Sequence, residues 1–188
     1  MPVITISGHS RKVGKTSIAE GLIAALPEYG WTALKVSSHL HSGSHFKDYA
    51  VIEETERDGG NDTSRFLKAG ALRALWIQAE RIETAIPSIQ AIIRETPNVI
   101  IEGNSVLDYI TADFSIMAIN RDVAEFKESA RGIILRANAL VIIHGGEESP
   151  EIENLLKSAP KQTLRFETDN PGFFPPVLAE QLRSRFFT

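Results

Sequence analysis

Gly14-Lys15-Thr16 stands between a short apolar run, Val3-Ile-Thr-Ile6, and a helical pattern, the context a phosphate-binding loop requires. Backbone N–H groups around Val13 to Thr16 would converge at a helix N-terminus, where the helix dipole favours an anion. The Lys15 ammonium is then expected on β- and γ-phosphate oxygens, and the Thr16 hydroxyl on Mg²⁺. The usual spacing, Gly-x-x-x-x-Gly-Lys-[Ser/Thr], would put glycine at position 9. His9 is there instead and Gly8 precedes it, so the loop is one residue longer. The candidate cofactor-binding cradle comprises Gly8, His9, Ser10, Arg11, Lys12, Val13, Gly14, Lys15, Thr16 and Ser17. Arg11 and Lys12 either help neutralise a triphosphate or stand in solvent. A plain strand-to-helix turn is the alternative for the loop as a whole.

A phosphate-bound Mg²⁺ needs an acidic partner, usually from the end of a neighbouring parallel strand. Asn98-Val-Ile-Ile-Glu102-Gly103 supplies one: Glu102 closes an apolar run and Gly103 allows a tight turn. Its carboxylate can meet the ion directly or through water, or serve only as a strand-end carboxylate. Lys15 and Glu102 are the candidate catalytic pair, and Thr16, Asp62 and Glu102 the candidate metal set. Asp62 precedes a helical pattern, so it either caps that helix or joins the metal site. Lys35 closes the second apolar run, where it approaches a γ-phosphate or an anionic substrate, or is solvated. Asn120 follows another strand pattern and either touches a base, offering both donor and acceptor, or makes a turn. His39, His41 and His45 can converge on a metal only if their segment turns suitably. Substrate contact or plain loop surface are their other readings.

These side chains need a scaffold, and the pattern provides one. Short branched runs mark strands at Val3–Ile6, Thr32–Val36, Val99–Ile101, Phe114–Ile119, Ala139–Ile143 and Thr163–Phe166. Helical patterns lie between them, at Ser17–Leu26, Thr63–Ala69, Leu72–Ile93 in one or two pieces, Val123–Arg136, Glu151–Ser158 and Val177–Phe186. Near-continuous apolar strands alternating with helices predict an α/β fold of three layers, a mostly parallel central sheet with helices on both faces. Pro27, Pro97, Pro150 and Pro160 are expected between elements, and Ser37 to Asn61 reads as one long loop on the phosphate side.

The 188 residues suit one domain able to bury a core without disulfides, and the chain has no Cys for a thiolate site. Twenty Lys and Arg against 24 Asp and Glu give a net charge of −4 with no basic block, which argues against nucleic acid as a partner. No run approaches a membrane span, and no cleavage site follows the first apolar stretch, so a cytoplasmic protein without a membrane partner is expected.

The long Gly-x-x-x-x-x-Gly-Lys-Thr loop, paired with a later strand ending Glu102-Gly103, resembles the dethiobiotin synthetase and cobyrinate a,c-diamide synthase branch of SIMIBI-type P-loop NTPases. More of the chain is similar to the molybdopterin-guanine dinucleotide biosynthesis protein B family, through Lys35-Val-Ser-Ser-His39-Leu-His41, Gly60-Asn-Asp-Thr-Ser-Arg65 and Lys68-Ala-Gly-Ala71. The similarity spans roughly the first hundred residues. It implies a P-loop NTPase fold over residues 1–188 and Mg²⁺ with ATP or GTP as cofactor. It also implies a nucleoside triphosphatase or adapter with a small-molecule or protein partner, and is compatible with a homodimer. A synthetase or kinase acting on a small carboxylate or alcohol is the alternative, and a nucleotide-dependent interaction module a second. The Asn-Lys-x-Asp guanine reader is missing: the expected place reads Ile143-His-Gly-Gly-Glu147, and the strand-end Glu-Gly continues as Asn104-Ser-Val106.

Overall fold

The computed structural model describes residues 2–38, 48–145, 149–170 and 174–187. Eight strands form one sheet: β1 (Val3–Gly8), β2 (Thr32–Ser37), β3 (Tyr49–Glu53), β4 (Arg73–Ala79), β5 (Val99–Glu102), β6 (Phe114–Asn120), β7 (Ala139–Ile143) and β8 (Leu164–Thr168). Their order is β3-β4-β2-β5-β1-β6-β7-β8, parallel throughout except for β3, which runs antiparallel to β4 at the edge. The helices are α1 (Lys15–Ala25), α2 (Asp62–Ala69), α3 (Ile82–Glu95), α4 (Ser129–Ile134), α5 (Pro150–Ser158) and α6 (Pro176–Phe186).

Period-two alternation divides the strand side chains between two cores. Ile4, Ile6, Ile100 and Val141 pack with Ile18 and Leu22 of α1, Phe66 of α2 and Leu178 and Leu182 of α6. On the opposite face Leu34, Val36, Ile77 and Ile101 meet Ile89 of α3, while Met117, Ile119, Leu140 and Ile142 meet α4 and α5. This is the three-layer α/β architecture that the strand and helix patterns predict, and it places the C-terminal ends of β1, β2 and β5 side by side beneath α1.

Three expectations need correction. The stretch from Leu72 to Ile93 is not helical throughout, because Arg73–Ala79 is the strand β4 between β2 and β3. Its Ala74, Leu75, Ile77 and Ala79 are buried on both faces, and an apolar run of that kind carries no period that separates strand from helix. The helix expected over Val123–Arg136 shrinks to Ser129–Ile134, since tertiary hydrogen bonds hold the preceding residues in an irregular path. Within the supposed Ser37–Asn61 loop, Tyr49–Glu53 is the edge strand β3, an antiparallel addition that a parallel-sheet reading does not anticipate. Pro87 lies inside α3, Pro150 opens α5, and Pro27 opens a short 3-10 turn. His39, His41 and His45 lie outside the described residues, as do Gly146 and Glu147.

Candidate phosphate and metal site

β1 ends at Gly8, where the chain leaves the sheet and turns into α1. A Cβ at Gly8 would stand 2.5 Å from the Val13 side chain, so the loop closes on itself only because this residue has none. Gly14 takes φ 91°, a left-handed conformation, as the residue that starts α1, and Lys12 is also left-handed at φ 58°. Left-handed residues in such a turn aim successive N–H groups inward, as an anion-binding concavity requires. Asn104 fastens the loop's start from beyond β5. Its side-chain amide donates to Gly8 O at 2.8 Å, and its Oδ1 accepts from Gly8 N at 3.0 Å.

A cavity of about 1010 Å³ opens above the strand ends. Ser10 to Ser17, Lys35, Asp62, Glu102 and Asn120 line it, so most of the sequence-predicted residues share one wall. Gly8 and His9 do not. Gly8 is the buried strand end, and the His9 ring turns away to donate from Nε2 to Val123 O at 3.0 Å. Arg11 and Lys12 are exposed at the rim. Asn120 spends its Oδ1 on Asp122 N at 2.9 Å.

At the centre, Thr16 Oγ1 donates to Glu102 Oε2 at 2.9 Å. Lys35 Nζ donates to Glu102 Oε1 and lies 2.8 Å from Asp62 Oδ2, bridging the two carboxylates. Sheet register puts it there, since Lys35 is the β2 partner of Glu102 on β5. Glu102 is only 1% exposed, so its charge is tolerable because Lys35 and Thr16 satisfy it. Burial alone would lower the Lys35 pKa, but Glu102 and Asp62 outweigh it and hold the ammonium above its ordinary value. Asp62 answers in kind: burial would raise its carboxyl, yet Lys35, Thr16 and Arg65 hold it below the usual range. Asn61, not Asp62, caps α2, accepting from Ser64 N at 2.8 Å, which leaves the Asp62 carboxylate to the cavity. Arg65 extends the network to Ser17 at 3.2 Å and to Glu20.

Among the described residues Lys15 has no carboxylate within bonding distance, and it donates to Ser10 O at 2.8 Å, closing the loop on itself. Burial is the main cause that pulls its pKa from 10.5 to about 8. Glu102 and Asp62 oppose the shift, while Lys35 and Lys127 add to it. The Ser10 hydroxyl, on a residue 1% exposed in the cavity wall, has no hydrogen-bond partner among the described residues. A buried unpaired donor beside a left-handed, cationic loop is a group an entering oxyanion could satisfy.

The donor set fits Mg²⁺. Two carboxylates and a hydroxyl face one space already holding a cation, the Lys35 ammonium. Among the described residues no three His, Asp or Glu side chains converge as a self-sufficient metal site. Mg²⁺ characteristically takes one or two carboxylates and completes its shell from substrate phosphates and water.

Several cavity residues escape the motif reading. Asn104, Ser105, Asp108, Lys127, Ser129 and Arg136 continue the wall toward α4. Only Asn104 had a sequence signal, its place directly after Glu102-Gly103.

His9 also gives the fold a pH dependence. Burial, helped by Lys15 and opposed by the bonds to Val123 and Ala118, lowers its pKa below 6.5. The unfolded chain therefore binds a proton that the fold resists. This contribution to stability is complete above about pH 6.5 and is lost as the pH falls toward the folded-state value. Melting temperatures recorded from about pH 7.5 to about pH 5 should fall less steeply for His9→Phe than for the wild type. Parallel curves would remove His9 as the cause.

No protein-family model matches the chain, and no curated protein matches it. Solved structures do. HypB from Helicobacter pylori, crystallised with nickel, aligns over 100% of this chain and 90% of its own, with TM-score 0.53 and 14% identity. MobB from Bacillus subtilis aligns over 99% and 98%, with TM-score 0.47 and 16% identity. LpxK from Aquifex aeolicus, in complex with ATP, aligns over 76% of this chain at TM-score 0.49 and 18% identity. The chain spans about half that protein's length, 48%. At such identities the likeness to HypB speaks for the fold, which is the P-loop NTPase fold. Among the described residues no helix is long and apolar enough to cross a membrane.

Proposed function

We propose that this chain is a Mg²⁺-dependent nucleoside-triphosphate-binding protein and a P-loop triphosphatase, acting as one domain over residues 1–188 in the cytoplasm. The observation that carries the reading is the 2.9 Å contact between Thr16 and Glu102, which lie 86 residues apart in the chain. The loop hydroxyl and strand-end carboxylate meet where a phosphate-bound ion needs both. Gly14, Lys15, Thr16 and the orphan Ser10 hydroxyl bind the polyphosphate, and Lys15 neutralises charge developing on it. Thr16, Glu102 and Asp62 are the residues that would hold Mg²⁺, which would supply withdrawal of charge from phosphate oxygens. Lys35, which stands between Glu102 and Asp62, is the cation placed to meet the terminal phosphate or an anionic substrate. The resemblance to the molybdopterin-guanine dinucleotide protein B family rests on the residues quoted above and supports an adapter role for the triphosphatase.

A thermal-shift panel of nucleotides with and without Mg²⁺ tests this, because a ligand that binds only the folded state raises the melting temperature by mass action. A flat panel would refute it. Base choice is expected to be weak. A guanine-selective site needs a carboxylate at N1 and N2 and an amide at O6, and the Asn-Lys-x-Asp segment that supplies them is missing. ATP and GTP dissociation constants should lie within about tenfold, roughly 1.4 kcal/mol, in parallel titrations. A GTP preference beyond about a hundredfold would reveal a reader elsewhere in the chain.

One observation favours the synthetase or kinase reading as a second possibility. The cavity continues past the phosphate loop to Ser105, Asp108, Ser129 and Arg136, leaving room for a second small substrate. A phosphorylated product formed from a small acid would select it. Slow hydrolysis stimulated by a protein partner would select the adapter.

A further inference from the structure

His9 fills the position where the usual loop spacing has glycine, in a loop one residue longer than usual, and all its polar contacts lead to one neighbouring segment or its root. Its N–H donates to Ala118 O at the end of β6, its Nε2 to Val123 O, and its carbonyl accepts from Lys127 N at 3.0 Å. The Lys127 carbonyl in turn accepts from Ala130 N at 2.8 Å, so the Lys127 backbone is fixed on both sides. Residues 121–128 are thereby tied across the root of the phosphate loop. Two charges bordering or within this stretch are already paired, Arg121 with Glu153 at 2.9 Å and Glu128 with Arg131 at 3.2 Å. The Lys127 ammonium has no hydrogen-bond or ion-pair partner among the described residues. It lines the cavity with Ser10 to Ser17, near enough to Lys15 for the two charges to repel.

We propose that Lys127 is a further polyphosphate-binding residue, a cation delivered by the same chain onto the phosphate cradle, and that His9 is its positioning residue. The proposal rests on the nucleoside-triphosphate reading of the cavity. Two half-buried lysines facing one space repel each other and lose hydration, an arrangement that becomes favourable when an anion enters between them. The longer loop acquires a purpose, because its additional residue clamps the segment that carries the cation.

Calorimetric titration with inorganic tripolyphosphate isolates the phosphate subsite from any base contact. Lys127→Met should weaken binding about tenfold and flatten its salt dependence, and Lys127→Arg should restore most of both. His9→Phe, which keeps the ring and loses the donor, should weaken binding to a similar degree and add little further loss on top of Lys127→Met. If His9→Phe does not fold, His9→Gln carries the same comparison with a donor retained, and it should bind better than Lys127→Met. Wild-type affinity in Lys127→Met, with Lys15→Met impaired, would overturn the proposal and leave the nucleotide reading standing. Unimpaired Lys15→Met, or no binding by the wild type, would overturn both. Fully additive losses from His9 and Lys127 would remove His9 as the positioning residue.

Discussion

On the proposed reading, Lys15→Met should abolish nucleotide-dependent stabilisation and at the same time raise the melting temperature of the ligand-free protein. The first effect is expected from the loss of the cation proposed to meet the phosphates at the helix N-terminus. The second follows from the state of Lys15 in the fold, where burial pulls its pKa from 10.5 to about 8 against the attraction of Glu102 and Asp62. A base whose folded-state pKa is depressed makes the fold unfavourable for the charged form. The penalty is complete below about pH 8 and fades as the pH rises toward about 10.5. Methionine keeps an unbranched apolar stem and removes the charge, giving up only the bond to Ser10 O. A gain of about 1 kcal/mol would raise the melting temperature by about 2–4 °C in a chain of this size. Calorimetric melts near pH 7 and pH 9.5 should show the variant's advantage shrinking at the higher pH. A variant less stable than the wild type at neutral pH, or one still stabilised by nucleotide, would contradict this account of the loop.

Glu102→Gln is expected to have the next largest consequence, at the proposed metal site. The substitution removes a charge at nearly constant volume from a side chain 1% exposed, leaving Lys35 with Asp62 alone. Because Asp62 remains and Lys35 is 21% exposed, the stability loss should be about 1–3 kcal/mol, short of what an entirely orphaned buried charge costs. Nucleotide affinity measured without Mg²⁺ should change little, while the increment that Mg²⁺ adds should disappear. Denaturant titration reads the first quantity and paired calorimetry the second. An equal loss of affinity with and without Mg²⁺ would make Glu102 a purely structural partner of Lys35.

How much of this could be read from the chain depended on how local the cause was. The phosphate loop is specified by consecutive residues, a strand, a glycine and Gly14-Lys15-Thr16, so its place needs no tertiary information. Glu102 was legible because a strand buried on both faces ends there and a glycine follows. β4 was misread as helix because total burial erases the alternation that distinguishes a strand, and only its neighbours β2 and β3 settle the matter. The path of residues 121–128 was invisible for a different reason: its anchors are His9 and Asn120, one of them more than a hundred residues upstream. His9 stands out as a departure from the usual loop spacing, yet nothing local indicates that its ring faces Val123 and not the cavity. Lys127 belongs to the same class, a side chain brought to the cavity through contacts that sequence spacing does not encode.

The pairing of Lys35 with Glu102 across adjoining parallel strands also bears on when the protein becomes competent during its own synthesis. The phosphate loop leaves the ribosome before the carboxylate it faces, because that carboxylate comes from β5, later in the chain but lying between β1 and β2 in the sheet. Parallel pairing of that kind closes long loops before any contact offsets their entropy, and so it is slow relative to local helix formation. A slip of one residue between β2 and β5 would send Lys35 and Glu102 to opposite faces. The proposed ligand capture would therefore require the correctly registered sheet. A nucleotide-binding signal followed during refolding should report the sheet-closing phase and not the earlier appearance of helix.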